Sequence, residues 1–515
     1  MSHGLVTDAP ITRDELLALR DQPVHVVGAA SAEGVAVLRL LLGLKFQHVV
    51  VHDQRPRAEL RRAFRTTHGA FSRVEQDALW EQLRPVIDAG RFGDDYLATI
   101  DTAALVVLPQ GWYLEQANRE RIVAAVPAGA RITSMVDLYF ALHRGPVAGI
   151  TGTNGKSTTV ALAEHLLQVA DVHHRTAGNE RSSRQFLPEI DDVPAGTWAL
   201  LEVSNRQLLQ TSRSPQVAAI TALTPDHLDE HGGMPGYEAT KARLFVHQGS
   251  GDVAIANADD ERALAAAQQS PAAQAGQLVR CGLGDHPSPS VLWRDGVLIA
   301  EDVPLADGTR RSGPVVIASS ADLQLPGAHN LRNAAVAVAL ALACGADPAT
   351  LAQGLRTFQG KALRLQRLEE VDGVEVWSDL KSTTPEATVA ALEALEGRRV
   401  LLICGGQDKG LEYGALAAAL VAHDVHALAV PGTATDKLER EVRRAAGTDE
   451  AAEALLERAP DVSAALDRAL ELAASGDVVI VSPAAAGFWS SQLQGGTSLR
   501  TLVRRRATVP EGSAR

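Results

Sequence analysis

The stretch Gly149-Ile150-Thr151-Gly152-Thr153-Asn154-Gly155-Lys156-Ser157-Thr158-Thr159 constrains the fold more than any other part of this 515-residue chain. It follows the apolar run Pro146-Val147-Ala148, and Val160, Ala163, Leu167 and Ala170 continue it at helical spacing. A strand, a glycine turn carrying a lysine, and a helix start make a cradle for phosphate. The turn aims backbone N–H groups inward, the helix dipole favours an anion, and Lys156 adds a full positive charge. Ser157 places a hydroxyl where Mg2+ on a nucleotide would sit. The usual eight-residue pattern has glycine at the place of Ile150; Gly152 and Gly155 make a more compact variant. ATP binding is the expectation, weighed against an ordinary glycine-rich turn.

Length alone calls for two to four domains. With 46% hydrophobic and 22% charged residues, the chain reads as a soluble protein with large cores. A net charge of −13 argues against bulk binding to nucleic acid or anionic membranes, yet allows a local phosphate pocket. The densest basic cluster, Arg500 to Arg506, suits the solvated face of a terminal helix. Cys281, Cys344 and Cys404 are scattered and odd in number, so neither a disulfide framework nor a zinc site is signalled. The first residues lack a signal pattern, and the longest apolar stretch, Ala334 to Cys344, is too short for a bilayer. A cytoplasmic enzyme, monomeric and acting on small molecules, is expected.

The pattern is α/β, in three segments. In residues 1–144, Val24 to Val27 reads as a buried strand turning at Gly28 into a helix from Val35 to Leu42. A second strand, His48 to His52, ends at Asp53-Gln54-Arg55, with an acid 25 positions after the first glycine. That is dinucleotide-fold spacing, although Gly28 to Gly34 lacks the middle glycine, which leaves nucleotide binding and plain α/β packing both open. Another strand, Ala104 to Leu108, breaks at Pro109-Gln110-Gly111. In residues 145–361, strands at Trp198 to Val203, Ala218 to Leu223 and Asp252 to Asn257 alternate with helices, the signature of a parallel sheet. A β-rich excursion from Val291 to Leu325 has Asp295-Gly296 as its hairpin turn, and a helix from Asn333 to Cys344 closes the segment. In residues 362–515 the strand candidates are Val374 to Trp377, Val400 to Cys404, Ala427 to Val430 and Asp477 to Val481. A second glycine turn, Gly405 to Lys409, follows the strand ending at Cys404.

Three further features carry chemistry. Glu202 ends a strand beside the phosphate loop, where a magnesium ligand belongs, although a strand-end surface glutamate reads the same way. Thr224 to His231 packs two histidines and three acids into eight residues, a candidate metal or phosphate site as well as a polar helix cap. Lys241 lies on the helical stretch Tyr237 to Val246, where a solvated lysine is the plain reading; near Mg2+ its charge would have to be removed or reversed.

The ordered set Gly-Thr-Asn-Gly-Lys-Ser-Thr, Glu202-Val203-Ser204, Thr224-Pro225-Asp226-His227-Leu228-Asp229, Tyr237-x-x-x-Lys241, Asn257-Ala258-Asp259-Asp260 and Gly327-x-His329-Asn330-x-x-Asn333 resembles the Mur ligases. These are the ATP-dependent amide-bond-forming enzymes of peptidoglycan precursor synthesis, and the resemblance covers nearly the whole chain. The first segment is most similar to the branch that adds D-glutamate to UDP-N-acetylmuramoyl-L-alanine. The resemblance implies a UDP-binding Rossmann-like domain, a central ATPase domain and a Rossmann-like C-terminal domain that receives the amino acid.

It also implies roles for single residues. Gly152 to Thr158 would hold the triphosphate, with Lys156 on its β,γ-phosphates. Ser157 and Glu202 would hold one Mg2+. His227 and a carbamylated Lys241 would hold the second. Asn333 and Arg364 would lie at the base and ribose side of ATP. Asn179, Ser204 and Gln207 would contact the muramoyl substrate, Gln54 and Arg55 the uridine diphosphate, and Lys381, Thr383, Lys409 and Ser482 the incoming amino acid.

Departures from the family pattern weigh on the amino acid rather than on the activation chemistry. Asp379-Leu380-Lys381-Ser382-Thr383 stands for aspartate-serine-lysine-alanine-threonine. Leu363 stands where a histidine is frequent, Asn205 for a second serine, and Arg206 for an aromatic residue. Gly487 to Gln492 replaces a serine and aromatic-rich run. The residues leave open L-glutamate or another amino acid, another acceptor as in folate or cyanophycin ligation, and a nucleotide-binding regulator without catalysis. Residues 57–91 are additional to the pattern, with no role legible in them.

Overall fold

The computed structural model describes residues 10–69, 71–113, 116–179, 185–209, 211–360, 363–408, 410–488 and 498–507. Short Val-, Ile-, Leu- and Ala-rich runs form strands buried on both faces, as parallel sheets covered by helices require. Among the described residues three sheets result.

The first has β1 (Val24–Val27), β2 (Val49–Asp53), β3 (Arg91–Phe92), β4 (Leu105–Val107) and β5 (Arg131–Thr133), ordered β3-β2-β1-β4-β5 and parallel throughout. The chain leaves β1 toward β2 and returns on the other side to β4, so a crevice opens at the carboxyl ends of β1 and β4. Gly28 sits there at φ +82, and a Cβ on it would lie 2.8 Å from Pro109 Cγ. Ser31 then caps the helix Ala32–Gly43 by accepting from the Gly34 N–H at 2.9 Å. Residues 57–91 prove to be the helices Arg57–Thr67 and Arg73–Asp88 with the edge strand β3; Leu60, Phe64, Leu79, Leu83 and Ile87 are buried in the core beside the sheet.

Neighbouring strands β1 and β2 bury a histidine pair. His25 Nδ1 lies 2.8 Å from His52 Nε2, and the other His52 nitrogen donates to the Tyr96 carbonyl. One proton serves the inter-ring bond, so a second would set two N–H groups face to face. Burial, then the neighbouring ring, pushes His25 down to about 4. The unfolded chain therefore takes up the proton first, and stability that is whole above pH 7 drains away as pH falls from about 6.5 toward 4. The expected loss is about 2 kcal/mol by pH 5. Melting temperatures across pH 5–8 check it: His25→Asn should flatten the acid side of the profile, and an unchanged profile would refute the assignment.

The second sheet has β6 (Val147–Thr151), β7 (His174–Gly178), β8 (Trp198–Glu202), β9 (Val217–Ile220), β10 (Val253–Asn257), β11 (Leu278–Gly282), β12 (Ser290–Arg294), β13 (Val297–Pro304) and β14 (Arg310–Ser319), ordered β14-β13-β12-β11-β10-β9-β6-β8-β7. Only the β12-β13-β14 end is antiparallel. Asp295 and Gly296, both at positive φ, make its hairpin turn as expected. The expected helix from Asn333 starts earlier, at Ala328, and the one expected over Tyr237 to Val246 is Met234–Ala242.

The third sheet has β15 (Gln366–Val371), β16 (Val374–Ser378), β17 (Val400–Gly405), β18 (His426–Val430), β19 (Leu456–Arg458) and β20 (Val478–Val481), ordered β15-β16-β20-β17-β18-β19. Only β15 is antiparallel to its neighbour. The basic helix Leu499–Ala507 is more than a solvated face: Arg500 and Arg504 both reach Glu369, and Arg506 reaches Asp467.

Two compact units result: residues up to Asp322 with Arg332–Arg356, and Leu323–Leu331 with residues from Thr357 on. The first two sheets share the first unit and one continuous apolar core. The three cysteines are buried and unbridged. Burial drives the thiols of Cys281 and Cys344 far above their usual range and that of Cys404 to about 12. No described helix is long and apolar enough to cross a membrane.

Candidate active site

The phosphate loop leaves β6 between its neighbours β8 and β9 and enters the helix Lys156–Val169. Gly155 is the cap residue at φ +85, and a Cβ there would fall 2.3 Å from Asn333 Oδ1. Loop and asparagine thus touch only because this position has no side chain. The loop is tied to the segment after β9. The Thr153 N–H donates to the Ala222 carbonyl at 2.6 Å, Thr221 Oγ1 to the Asn154 carbonyl at 2.6 Å, and Asn154 Nδ2 to Thr224 Oγ1 at 3.2 Å. Lys156 Nζ folds back to donate to the Gly152 and Thr153 carbonyls, each at 2.7 Å. Ser157 and Thr158 begin the helix, with Ser157 largely buried.

Glu202 ends β8 next door. Its Oε1 accepts from Asn179 Nδ2 at 3.3 Å, while Oε2 is buried with no partner. A buried carboxylate oxygen left over beside a phosphate loop fits a divalent cation, because an unsatisfied anionic acceptor is costly unless a cation meets it. Among the described residues no three His, Cys, Asp or Glu side chains converge into a cage of their own. That suits Mg2+, which keeps waters and nucleotide oxygens as most of its ligands.

Lys241, read from sequence as solvent-facing unless modified, is 1% exposed. Its Nζ donates to Gly152 O at 2.9 Å and Thr151 Oγ1 at 3.2 Å. Burial first, then the charge of Lys156, drives its amine far below the usual lysine range. His227, in left-handed backbone at φ +50, approaches Glu230 Oε1 with Nδ1 at 3.1 Å and Asp226 Oδ2 with Nε2 at 3.5 Å. Burial would raise the Glu230 carboxyl, but hydrogen bonds from Arg206 and His227 outweigh it and hold it at about 2.

The crevice of the first sheet is a cavity of about 630 Å³, whose lining includes Gly28, Asp53, Gln54, Arg55, Gln110 and Asn179. Asp53 is fully buried. It accepts from the Ala30 N–H at 3.3 Å and the Arg55 N–H at 3.0 Å, fixing the turns after β1 and β2 against each other. Ser204 and Gln207 form a reciprocal cap on the short helix Asn205–Leu208. They also brace the wall: Ser204 Oγ donates to Gln110 Oε1 and Gln207 Nε2 to Glu33 Oε1, each at 2.6 Å.

Asn179 is shared, lining the cavity and holding Glu202. Sequence reasoning assigned Glu33 no role, because an isolated acid carries no spacing signal, and marked Glu230 only as one of the three acids in the dense run Thr224 to His231. Asp259, marked only within its motif and without a role, accepts from Arg332 Nε at 2.7 Å and His286 Nε2 at 3.0 Å and so anchors the helix carrying Asn333.

In the second unit, Arg364 and Thr383 are half-buried and Lys381 is exposed. Ser482 is fully buried, donating to Asp379 Oδ2 at 2.8 Å and paired with Thr388 Oγ1 at 2.8 Å, which binds the ends of β16 and β20 together. Burial raises the Asp379 carboxyl despite these bonds. Lys409 lies outside the described residues.

Residues 150–341 match the Mur ligase middle domain, and residues 363–485 match the Mur ligase, glutamate ligase domain. A curated relative from Pelotomaculum thermopropionicum, named UDP-N-acetylmuramoylalanine--D-glutamate ligase, is 36% identical over 72% of this chain and 76% of its own length. One of the same name from Roseiflexus is 33% identical over 75% of this chain and 82% of its own. Among solved structures, UDP-N-acetylmuramate-alanine ligase MurC from Thermotoga maritima superposes with a TM-score of 0.53 at 17% identity, covering 94% of this chain and 98% of that one, a likeness of fold. Fold, loop and matched domains lead to one conclusion: this chain belongs to the Mur ligase family, ATP-dependent ligases that form amide bonds and generally use Mg2+.

Proposed function

We propose that this protein joins D-glutamate to UDP-N-acetylmuramoyl-L-alanine with ATP, in the cytoplasm, as a step of peptidoglycan precursor synthesis. Residues 1–144 would hold the UDP-sugar, 145–361 the ATP, and 362–515 the amino acid. The observation that carries the reading is Asn179. One residue both lines the 630 Å³ cavity and holds Glu202, so the cavity abuts the phosphate site.

Gln54 and Arg55 bind the uridine diphosphate, and Asn179, Ser204 and Gln207 shape the wall along which the muramoyl chain runs. The alanine carboxylate attacks the γ-phosphorus, its bond to the β,γ-bridging oxygen breaks, and ADP leaves. Lys156 and the loop N–H groups offset charge on the phosphoryl oxygens in that transition state. The neutral amine of glutamate then attacks the acyl phosphate, loses a proton and expels phosphate, while Lys381 or Lys409 meets its side-chain carboxylate. Ser157 and Glu202 would hold one Mg2+, and His227 with carbamylated Lys241 a second, and the ions would supply charge neutralisation on the triphosphate. Asn333, beside the loop at Gly155, lies on the nucleoside side of the triphosphate.

Lys241 supports the carbamate reading. CO2 adds only to an unprotonated amine, which loses a proton to give an anionic oxygen ligand, and burial shifts this amine toward its unprotonated form. Phosphate release with ATP and UDP-N-acetylmuramoyl-L-alanine, across a panel of D- and L-amino acids, tests the reading. Release that depends on D-glutamate is expected. Release only with another amino acid or another acceptor acid sinks it.

A further inference from the structure

Arg206 stands where the family pattern has an aromatic ring, and its guanidinium touches two places at once. Its Nε and one terminal N–H donate to Glu230 Oε2 at 2.9 Å and Oε1 at 2.6 Å, a bidentate pair with both side chains largely buried. On the other side Arg206 lines the cavity with Gln54, Arg55 and Asn179. Glu230 Oε1 also lies 3.1 Å from His227 Nδ1. A carboxylate only accepts, and Glu230 is the nearer of the two that face the ring, Asp226 Oδ2 lying 3.5 Å from Nε2, so the Glu230 contact favours the proton on Nδ1 and Nε2 as the metal-facing nitrogen.

We infer that Arg206 and Glu230 are positioning residues that couple occupancy of the sugar-nucleotide cavity to the orientation and tautomer of His227. The inference rests on reading His227 as a metal ligand. Two of the five N–H donors of Arg206 are committed to Glu230, which leaves donors for an anionic or carbonyl oxygen of the substrate. An oxygen bound there draws on the same guanidinium that clamps Glu230. Glu230 in turn fixes a ring whose own backbone is left-handed at φ +50 and which begins the four-residue helix Leu228–His231. Further hydrogen bonds steady the surroundings: Asn205 Nδ2 pairs with His231 Nε2 at 2.8 Å, and Thr240 Oγ1 with His231 Nδ1 at 3.2 Å. Helix, cavity wall and histidine are therefore linked in one polar assembly.

The full-length enzyme, saturated with a non-hydrolysable ATP analogue, is titrated with Mn2+ by electron paramagnetic resonance, with and without UDP-N-acetylmuramoyl-L-alanine. Histidine-labelled, metal-free protein reports the His227 tautomer by nitrogen NMR. E230Q and R206M should each weaken Mn2+ by about 10- to 100-fold, with E230D intermediate. The sugar nucleotide should tighten Mn2+ in the parent and lose that effect in R206M, and E230Q should turn the single Nδ1–H tautomer into a mixture. Unchanged Mn2+ affinity and an unchanged tautomer in both variants overturn the inference. H227A separates the two levels: if it too leaves Mn2+ affinity unaltered, the ligand reading itself fails. If H227A weakens Mn2+ while E230Q and R206M do not, the ligand reading stands and the coupling falls. Should E230Q melt early, R206M alone decides on the same two readouts.

Discussion

Lys156→Ala should lower turnover by about a hundred- to a thousandfold or more, the scale for removing one preorganised charge from a transition state. The fold should survive it. Lys156 is half-buried and directs its ammonium at the Gly152 and Thr153 carbonyls, so it contributes to loop electrostatics and not to apolar packing. The Ser157, Thr159 and Val160 side chains that follow it are buried and hold the helix in place without it. Single-turnover phosphate release measures the effect, and circular dichroism melting shows that the variant is folded. Turnover close to that of the parent enzyme would remove Lys156 from the phosphoryl step.

Lys241→Ala should be equally inactive for a different reason, and short carboxylates such as formate or acetate should partly restore it by supplying the missing anionic oxygen. The stability prediction has an unexpected sign. An amine whose protonation burial disfavours in the fold but not in the unfolded chain makes folding less favourable at pH below its unfolded value of about 10.4, because unfolding then takes up protons. Lys241→Met keeps the buried volume and removes that cost, so at pH 7 in CO2-free buffer its melting temperature should equal or exceed that of the parent. Destabilisation of Lys241→Met would show that the bonds to Thr151 and Gly152 outweigh the desolvated amine. Full activity of the unsubstituted enzyme after rigorous removal of bicarbonate would end the carbamate assignment.

Local chemistry announced itself in the sequence. The glycine loop, strand β6 and the helix from Lys156 are legible because their pattern is contiguous and each residue type has one steric or electrostatic job. The long buried strands β8, β10, β17 and β20 were legible for the same reason, as apolar runs bounded by turns. Strands β3 and β19 carry too little apolar pattern to be read and exist because a neighbour supplies the ladder, whereas three-residue β4 showed because apolar residues flank it. The start of the helix at Ala328 was hidden because Ala328 to Arg332 is polar enough to read as loop. Burial of Lys241 was invisible, since its helix shows only a mixed pattern and the desolvating partner, the loop, lies some ninety positions away in sequence. The Arg206–Glu230–His227 contact escaped for the same reason: Arg206 registered as a departure from pattern, but nothing in the chain said which acid it would meet.

The inaccessibility of all three thiols has a practical corollary. Maleimide and iodoacetamide reagents should find nothing to react with in the native protein, so a single cysteine engineered onto either compact unit would be the sole attachment point for a dye. A donor and acceptor placed that way would let fluorescence transfer follow the two units through a catalytic cycle, with no need to strip out native sulfur first.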